Sequence, residues 1–216
     1  MKPSFTRILF ASLLAIALLA FAPTRHAHAE AGLGGFDILI GIGAQACHSL
    51  DKSNSACNRD VFEAGPLGSF SAGYVADIAG ILGVGLFADL DLGGMPRDEY
   101  KSSFILQANG MLKFFIRAVV LDIWLGIGGG YSYYTATLDT NTNNSWSWKG
   151  PSLKASAGLT FFLPVFSVIG LGIDYSYIHS FEGNFSSTVL GFDFATEQKQ
   201  SLFDLSQVKF HVRFNF

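Results

Sequence analysis

The last ten residues, Gln207-Val-Lys-Phe-His-Val-Arg-Phe-Asn-Phe216, alternate between polar and apolar side chains without a break. Successive residues of a β-strand project to opposite faces. One face of this segment therefore carries Val208, Phe210, Val212, Phe214 and Phe216, and the other carries Lys209, His211 and Arg213. An amphipathic helix needs apolar residues both three and four apart, and no two apolar residues of this segment are three apart. Two settings suit such a strand: the edge of a soluble β-sandwich, or a wall between lipid and a wet interior.

Seven earlier runs repeat the pattern. They are centred on Phe36–Ile42, Phe70–Ala76, Leu82–Leu92, Phe104–Phe114, Leu121–Tyr133, Leu153–Leu163 and Ile169–Tyr177. The connections between them alternate in length. Long polar stretches at about 46–66, 93–101, 138–150 and 180–201 take turns with tight reversals near Asp77–Gly80, Arg117-Ala118 and Pro164. Transmembrane barrels have an even number of antiparallel strands, short turns on one side and long loops on the other. A strand of about 9–11 residues crosses a bilayer. The expected fold is all-β, an eight-stranded antiparallel up-and-down transmembrane barrel, with a soluble β fold as the competing reading. Phe185, Val189, Leu190, Phe192 and Phe194 are expected to extend the last two strands rather than add a hairpin and make ten.

The N-terminus points the same way. Lys2 and Arg7 precede the apolar run Ile8–Ala22, Pro23 ends it, and Ala27-His28-Ala29 offers a cleavage site. The run of 15 residues falls short of the roughly 20 that a membrane helix needs. The expected organisation is a cleaved signal over 1–29 and one barrel domain over 30–216, exported to a bacterial outer membrane. The signal holds three of the 14 basic residues and none of the 17 acidic ones, so the barrel domain carries a net charge of about −6. Phosphate recognition relies on clustered Lys and Arg, so nucleic acid is excluded as a partner. Cys47 and Cys57 are expected to form a disulfide in an oxidising compartment, stapling the first long connection.

An eight-stranded barrel is only wide enough inside for side chains to fill it. Strand parity sends Asp37, Asp89, Asp91, Asp122 and Asp174 inward, together with Lys113, Lys154, Lys209 and Arg213. Five acids against four bases nearly cancel, as buried charges must if they are to pair. This set reads as a salt-bridged plug, with an ion or proton path as the alternative. Tyr131, Tyr133, Tyr175 and Tyr177 fall near strand ends, where aromatic girdles lie. Trp146 and Trp148, among Asn, Thr and Ser, are candidate loop contacts for a glycan, lipopolysaccharide or protein, with anchoring at the membrane rim as the equal alternative. His48-Ser49 and His179-Ser180 invite comparison with lipid-modifying enzymes, but neighbours on a strand face opposite ways. No catalytic, metal or cofactor residue is assigned.

The signal, the eight amphipathic runs and the ending Phe210-His-Val-Arg-Phe-Asn-Phe216 together resemble the small outer-membrane barrels of the OmpA/OmpX and opacity-protein superfamily. The resemblance is one of architecture plus a short end motif. It implies that Phe210, Val212, Phe214 and Phe216 form the signal read by the barrel-assembly machinery, and that no periplasmic domain follows. It implies outer-membrane lipid and lipopolysaccharide as surroundings, and a non-enzymatic structural or adhesin-like role through the loops. A small channel for apolar solutes or ions, and a lipid-A-modifying enzyme, are the alternatives.

Overall fold

The computed structural model describes residues 35–48, 64–78, 81–94, 100–118, 120–138, 144–163, 166–189, 192–194, 199–201 and 204–216. The proposed signal and Cys57 lie outside these residues. The strands are β1 (Gly35–His48), β2 (Ala64–Asp77), β3 (Leu82–Gly93), β4 (Tyr100–Arg117), β5 (Leu121–Leu138) and β6 (Ser145–Leu163). They continue with β7 (Phe166–Ser180), β8 (Glu182–Val189), β9 (Phe192–Phe194), β10 (Lys199–Ser201) and β11 (Asp204–Asn215).

Eight of these close a ring. β1 to β7 pair in sequence order, β11 pairs with β7, and β11 also pairs with β1, every ladder antiparallel. A closed ring leaves no open edge to present unpaired backbone to lipid. The chain therefore forms the eight-stranded antiparallel barrel that its alternation predicts.

The stagger of the ring can be followed residue by residue. Gly35 pairs with Val75, Val75 with Gly85, Gly85 with Lys113, Lys113 with Gly126 and Gly126 with Ser156. Ser156 then pairs with Ser176, Ser176 with Gln207, and Gln207 with Gln45, which lies ten residues further along β1 than the starting point. Strands in so staggered a barrel must tilt strongly against its axis. Tilt and stagger decide which inward side chains share a level.

The strands run to 12–19 residues in the ring, longer than the 9–11 needed to cross. The outward residues explain the excess. On β5 that parity is apolar from Leu121 through Ile127 to Tyr131 and Tyr133, then turns to Thr135 and Thr137. On β6 it runs apolar from Leu163 to Leu153 and Pro151, then becomes Lys149, Ser147 and Ser145. The greasy band ends there and the strands continue past it. β8 resumes the path of β7 after the single residue Phe181, and pairs with the upper part of β6, with β9 and with β10. β8, β9 and β10 thus extend the barrel wall on one side without entering the ring.

At the opposite end the turns are tight. Ile78 N–H donates to Leu82 O at 2.8 Å and Ala118 N–H to Leu121 O at 2.7 Å, while Phe36 and Phe216 exchange backbone bonds beside the chain's last residue.

Candidate functional site

The inward-facing side chains of the barrel are largely buried. They are packed in layers, and the central layer is ionic. Lys154 Nζ lies 2.6 Å from Asp91 and 3.1 Å from Asp89. Lys113 Nζ lies 3.1 Å from Asp89 and donates to Ser71 at 3.0 Å. Lys209 Nζ reaches Asp174 at 3.2 Å and Asp91 at 3.5 Å. His211 Nδ1 sits 3.1 Å from Asp174, and its Nε2 lies 2.9 Å from Thr160 Oγ1. These contacts link β2, β3, β4, β6, β7 and β11 across the interior. Three lysines meet three aspartates, so the layer is neutral apart from His211. A cavity of about 10 Å³ beside Ser71, Lys209 and His211 has room for about one water.

A second ionic layer lies towards the tight turns. Arg213 donates to Asp122 at 3.0 Å and through Nε to Asp37 at 3.1 Å. Asn215 also donates to Asp37, and Arg117 contacts Asp77 at 2.7 Å. The Arg213 guanidinium lies 4.8 Å from the centre of the Phe115 ring, a favourable cation–π distance. Charged groups this deep are tolerable only when paired, because each would otherwise forfeit its hydration.

All nine charged residues that parity sends inward are buried: Asp37, Asp89, Asp91, Lys113, Asp122, Lys154, Asp174, Lys209 and Arg213. Sequence reasoning did not anticipate what lies between and above them. Leu39, Val75, Phe87, Met111, Phe115 and Trp124 form an apolar cluster inside the barrel. Ile105, Tyr134, Ala136, Ile178 and Leu205 form another nearer the long connections. Gln45, Gln107 and Gln207 join below this cap, with Gln207 Nε2 donating to Gln107 at 2.9 Å. These apolar residues sit on the parity assigned to polar ones. The signal for them is their bulk opposite glycine: a Cβ on Gly158 would come within 2.5 Å of the Trp124 ring. Glycine makes room on the facing strand for a large ring.

The two tryptophans expected as loop contacts need correction. Both lie in β6, on the inward parity, because the strand starts at Ser145 rather than after residue 150. Trp148 is 1% exposed, packed where Gly150 and Gly183 carry no side chain. Trp146 stacks on Tyr134 with ring centres 4.6 Å apart, and Phe185 lies 5.7 Å from it. They cap the interior. The outward face of the same wall bears the hydroxyls instead: Thr135 pairs with Ser147 and Ser147 with Ser186, and the two serine hydroxyls are 2.8 Å apart.

His179 and Ser180 face opposite ways, as strand geometry requires: Ser180 is buried, while the His179 side chain is 41% exposed. His179 has a different partner, which the sequence did not reveal. Its Nδ1 lies 2.9 Å from Asp204 Oδ1, and Tyr177 O–H donates to the other oxygen of the same carboxylate. Tyr175 and Ser206 hydroxyls lie 2.9 Å apart just below. The Tyr177 and Ser206 hydroxyls are thus both engaged by other groups. The side chain of His48 and Cys57, the partner expected for Cys47, lie outside the described residues. Phe210 lies exposed on the outward face of β11 and Phe216 is exposed just past its end, with Val212 and Phe214 between them on the same parity.

An apolar outer band, an interior of paired charges and tight turns opposite extended walls define a class: the fold is that of the small eight-stranded outer-membrane barrels. Among solved structures the chain is similar to neisserial surface protein A (NspA), with a TM-score of 0.53 and 13% identity over 87% of this chain and 100% of that one. It is also similar to a major outer membrane protein from Thermus thermophilus, with a TM-score of 0.50 and 12% identity over 85% of this chain and 99% of that one. At such identities the likeness is one of fold. No family model and no curated protein sequence matches the chain.

Proposed function

We propose that this chain is exported, inserted into a bacterial outer membrane, and serves there as a non-conducting, non-enzymatic barrel that presents a surface for contact outside the cell. The observation that carries this reading is the asymmetry of the wall. β5, β6 and β8 continue beyond the apolar band on one side, backed by Trp146, Trp148, Tyr134 and Phe185. The outward face of that extension shows Thr135, Thr137, Ser145, Ser147, Lys149, Asn184 and Ser186. A rigid, hydroxyl-rich sheet with an aromatic backing suits hydrogen bonding to a glycan or to another polypeptide. The interior supports the non-conducting half of the reading, since two ionic layers and two apolar clusters fill it.

The test is binding of cells displaying the barrel to immobilised host-surface glycans and extracellular-matrix proteins. Replacing Ser147 and Ser186 together by Glu places two carboxylates on paired positions and is expected to lower binding about tenfold, or 1.4 kcal/mol. Unchanged binding with the barrel correctly folded would refute the role given to this face.

A further inference from the structure

Within the apolar band of the outer wall, a group of polar residues gathers around His179 and Asp204. It lies where β7 and β11 approach the long connections. Asp204 is nearly buried there, its side chain 5% exposed, yet its carboxylate is fully engaged. Oδ1 accepts from Ser180 N–H at 3.3 Å and lies 2.9 Å from His179 Nδ1, while Oδ2 accepts from Tyr177 O–H. Asp204 is therefore positioned to orient a ring rather than to meet a ligand. With the imidazole neutral, its Nδ1–H is given to Asp204 and the other nitrogen presents a lone pair. Nε2 has no partner among the described residues, and the side chain is open to the surroundings.

The neighbours are flat and largely apolar. Phe181 meets the imidazole edge-on with ring centres 4.9 Å apart, and it is 44% exposed. Tyr175, two positions below Tyr177, is 48% exposed, and Leu153 of β6 stands opposite His179. Asp204 itself and the exposed Glu182 put acidic charge on this part of the wall, and the exposed Lys149 stands further along the same face, opposite Asn184. Acidic surroundings and a lone-pair acceptor disfavour a phosphate oxygen and favour an O–H donor. A polar group in this position is tolerable because lipid-face penalties shrink towards the interface, where headgroups supply partners.

We propose that His179, held by Asp204 and flanked by Phe181, Tyr175 and Tyr177, is a binding site for the uncharged sugar headgroup of an outer-leaflet lipid. A sugar hydroxyl donates to His179 Nε2, and the sugar's C–H face lies against the exposed rings. The inference rests on the barrel spanning an outer membrane with its long connections outside. The chemistry commits it to a neutral, hydroxyl-bearing headgroup.

The experiment places the refolded barrel in phosphatidylcholine nanodiscs containing equal amounts of monoglucosyl diacylglycerol and phosphatidylglycerol, and measures by native mass spectrometry which lipid stays bound. Folding of every variant is checked by heat-modifiable gel migration, so failure to insert is distinguished from loss of lipid preference. The glucosyl lipid is expected to be retained roughly three- to tenfold over phosphatidylglycerol, the range that one hydrogen bond supplies. The preference should vanish in His179→Ala and persist in part in His179→Gln, whose amide oxygen accepts the same bond. Equal retention, a preference for phosphatidylglycerol, or a glucosyl preference that survives His179→Ala would each overturn the proposal.

Discussion

Lys154 and Asp91, 63 positions apart in the chain, meet across the interior of the barrel at 2.6 Å. Lys154 stands on β6 and Asp91 on β3, strands that are not neighbours in the ring. Their contact, with Asp89 at 3.1 Å, ties opposite walls together. Lys154→Met removes one of three lysines and leaves three buried carboxylates to share Lys113 and Lys209. The expected loss is about 3–5 kcal/mol, read as a shift in the urea unfolding midpoint of protein refolded in lipid. Lys154→Met combined with Asp91→Asn should recover part of that loss, because one uncompensated charge is removed with its partner. An unshifted midpoint in the single variant would mean that the pair does not hold the walls together.

The layered interior leads to a second expectation. Protein inserted in a planar bilayer should give no discrete current steps above background at ordinary salt. Phe87, Phe115 and Trp124 pack between the two ionic layers, and Ile105, Tyr134 and Leu205 close the end nearer the long connections. Reproducible unitary steps that scale with the amount of protein inserted would revive the channel reading.

Gly158 and Trp124 give a packing test. A Cβ at Gly158 would come 2.5 Å from the indole, so Gly158→Ala should force the ring aside and destabilise the barrel by about 1–3 kcal/mol. Trp124 fluorescence should shift with it. Gly68→Ala is the control, because its nearest heavy atom is the Leu92 carbonyl oxygen at 3.8 Å, and its effect should stay within about 0.5 kcal/mol.

The cysteines give a chemical test. Oxidised protein should lack reaction with a maleimide at Cys47 and Cys57, and should gain two labels once reduced and unfolded. Closing a short loop contributes roughly 3 kcal/mol in the chain-entropy model, so reduction should lower thermal stability measurably. Labelling of both thiols without reductant would rule the bridge out.

The sequence alone determined the wall of this protein. A period of two is a local property, written into every run from Phe36–Ile42 to Val208–Phe216, and it assigns each side chain to one of two faces without knowledge of the partner strand. From it came the barrel, the band of outward apolar residues and the nine inward charges. Parity cannot state height or partner. Those follow from the ten-residue stagger that closes the ring, which brings Lys154 level with Asp89 and Asp91 and places Arg213 with Asp37 and Asp122. It also cannot tell a loop from a strand that outruns the membrane, and so Trp146 and Trp148 read as surface although pairing with β5 and β8 turns them inward. His179 and Asp204 lie 25 residues apart and meet only because β7 and β11 are adjacent in the closed ring. Closure is a global constraint, and only the tertiary structure can impose it.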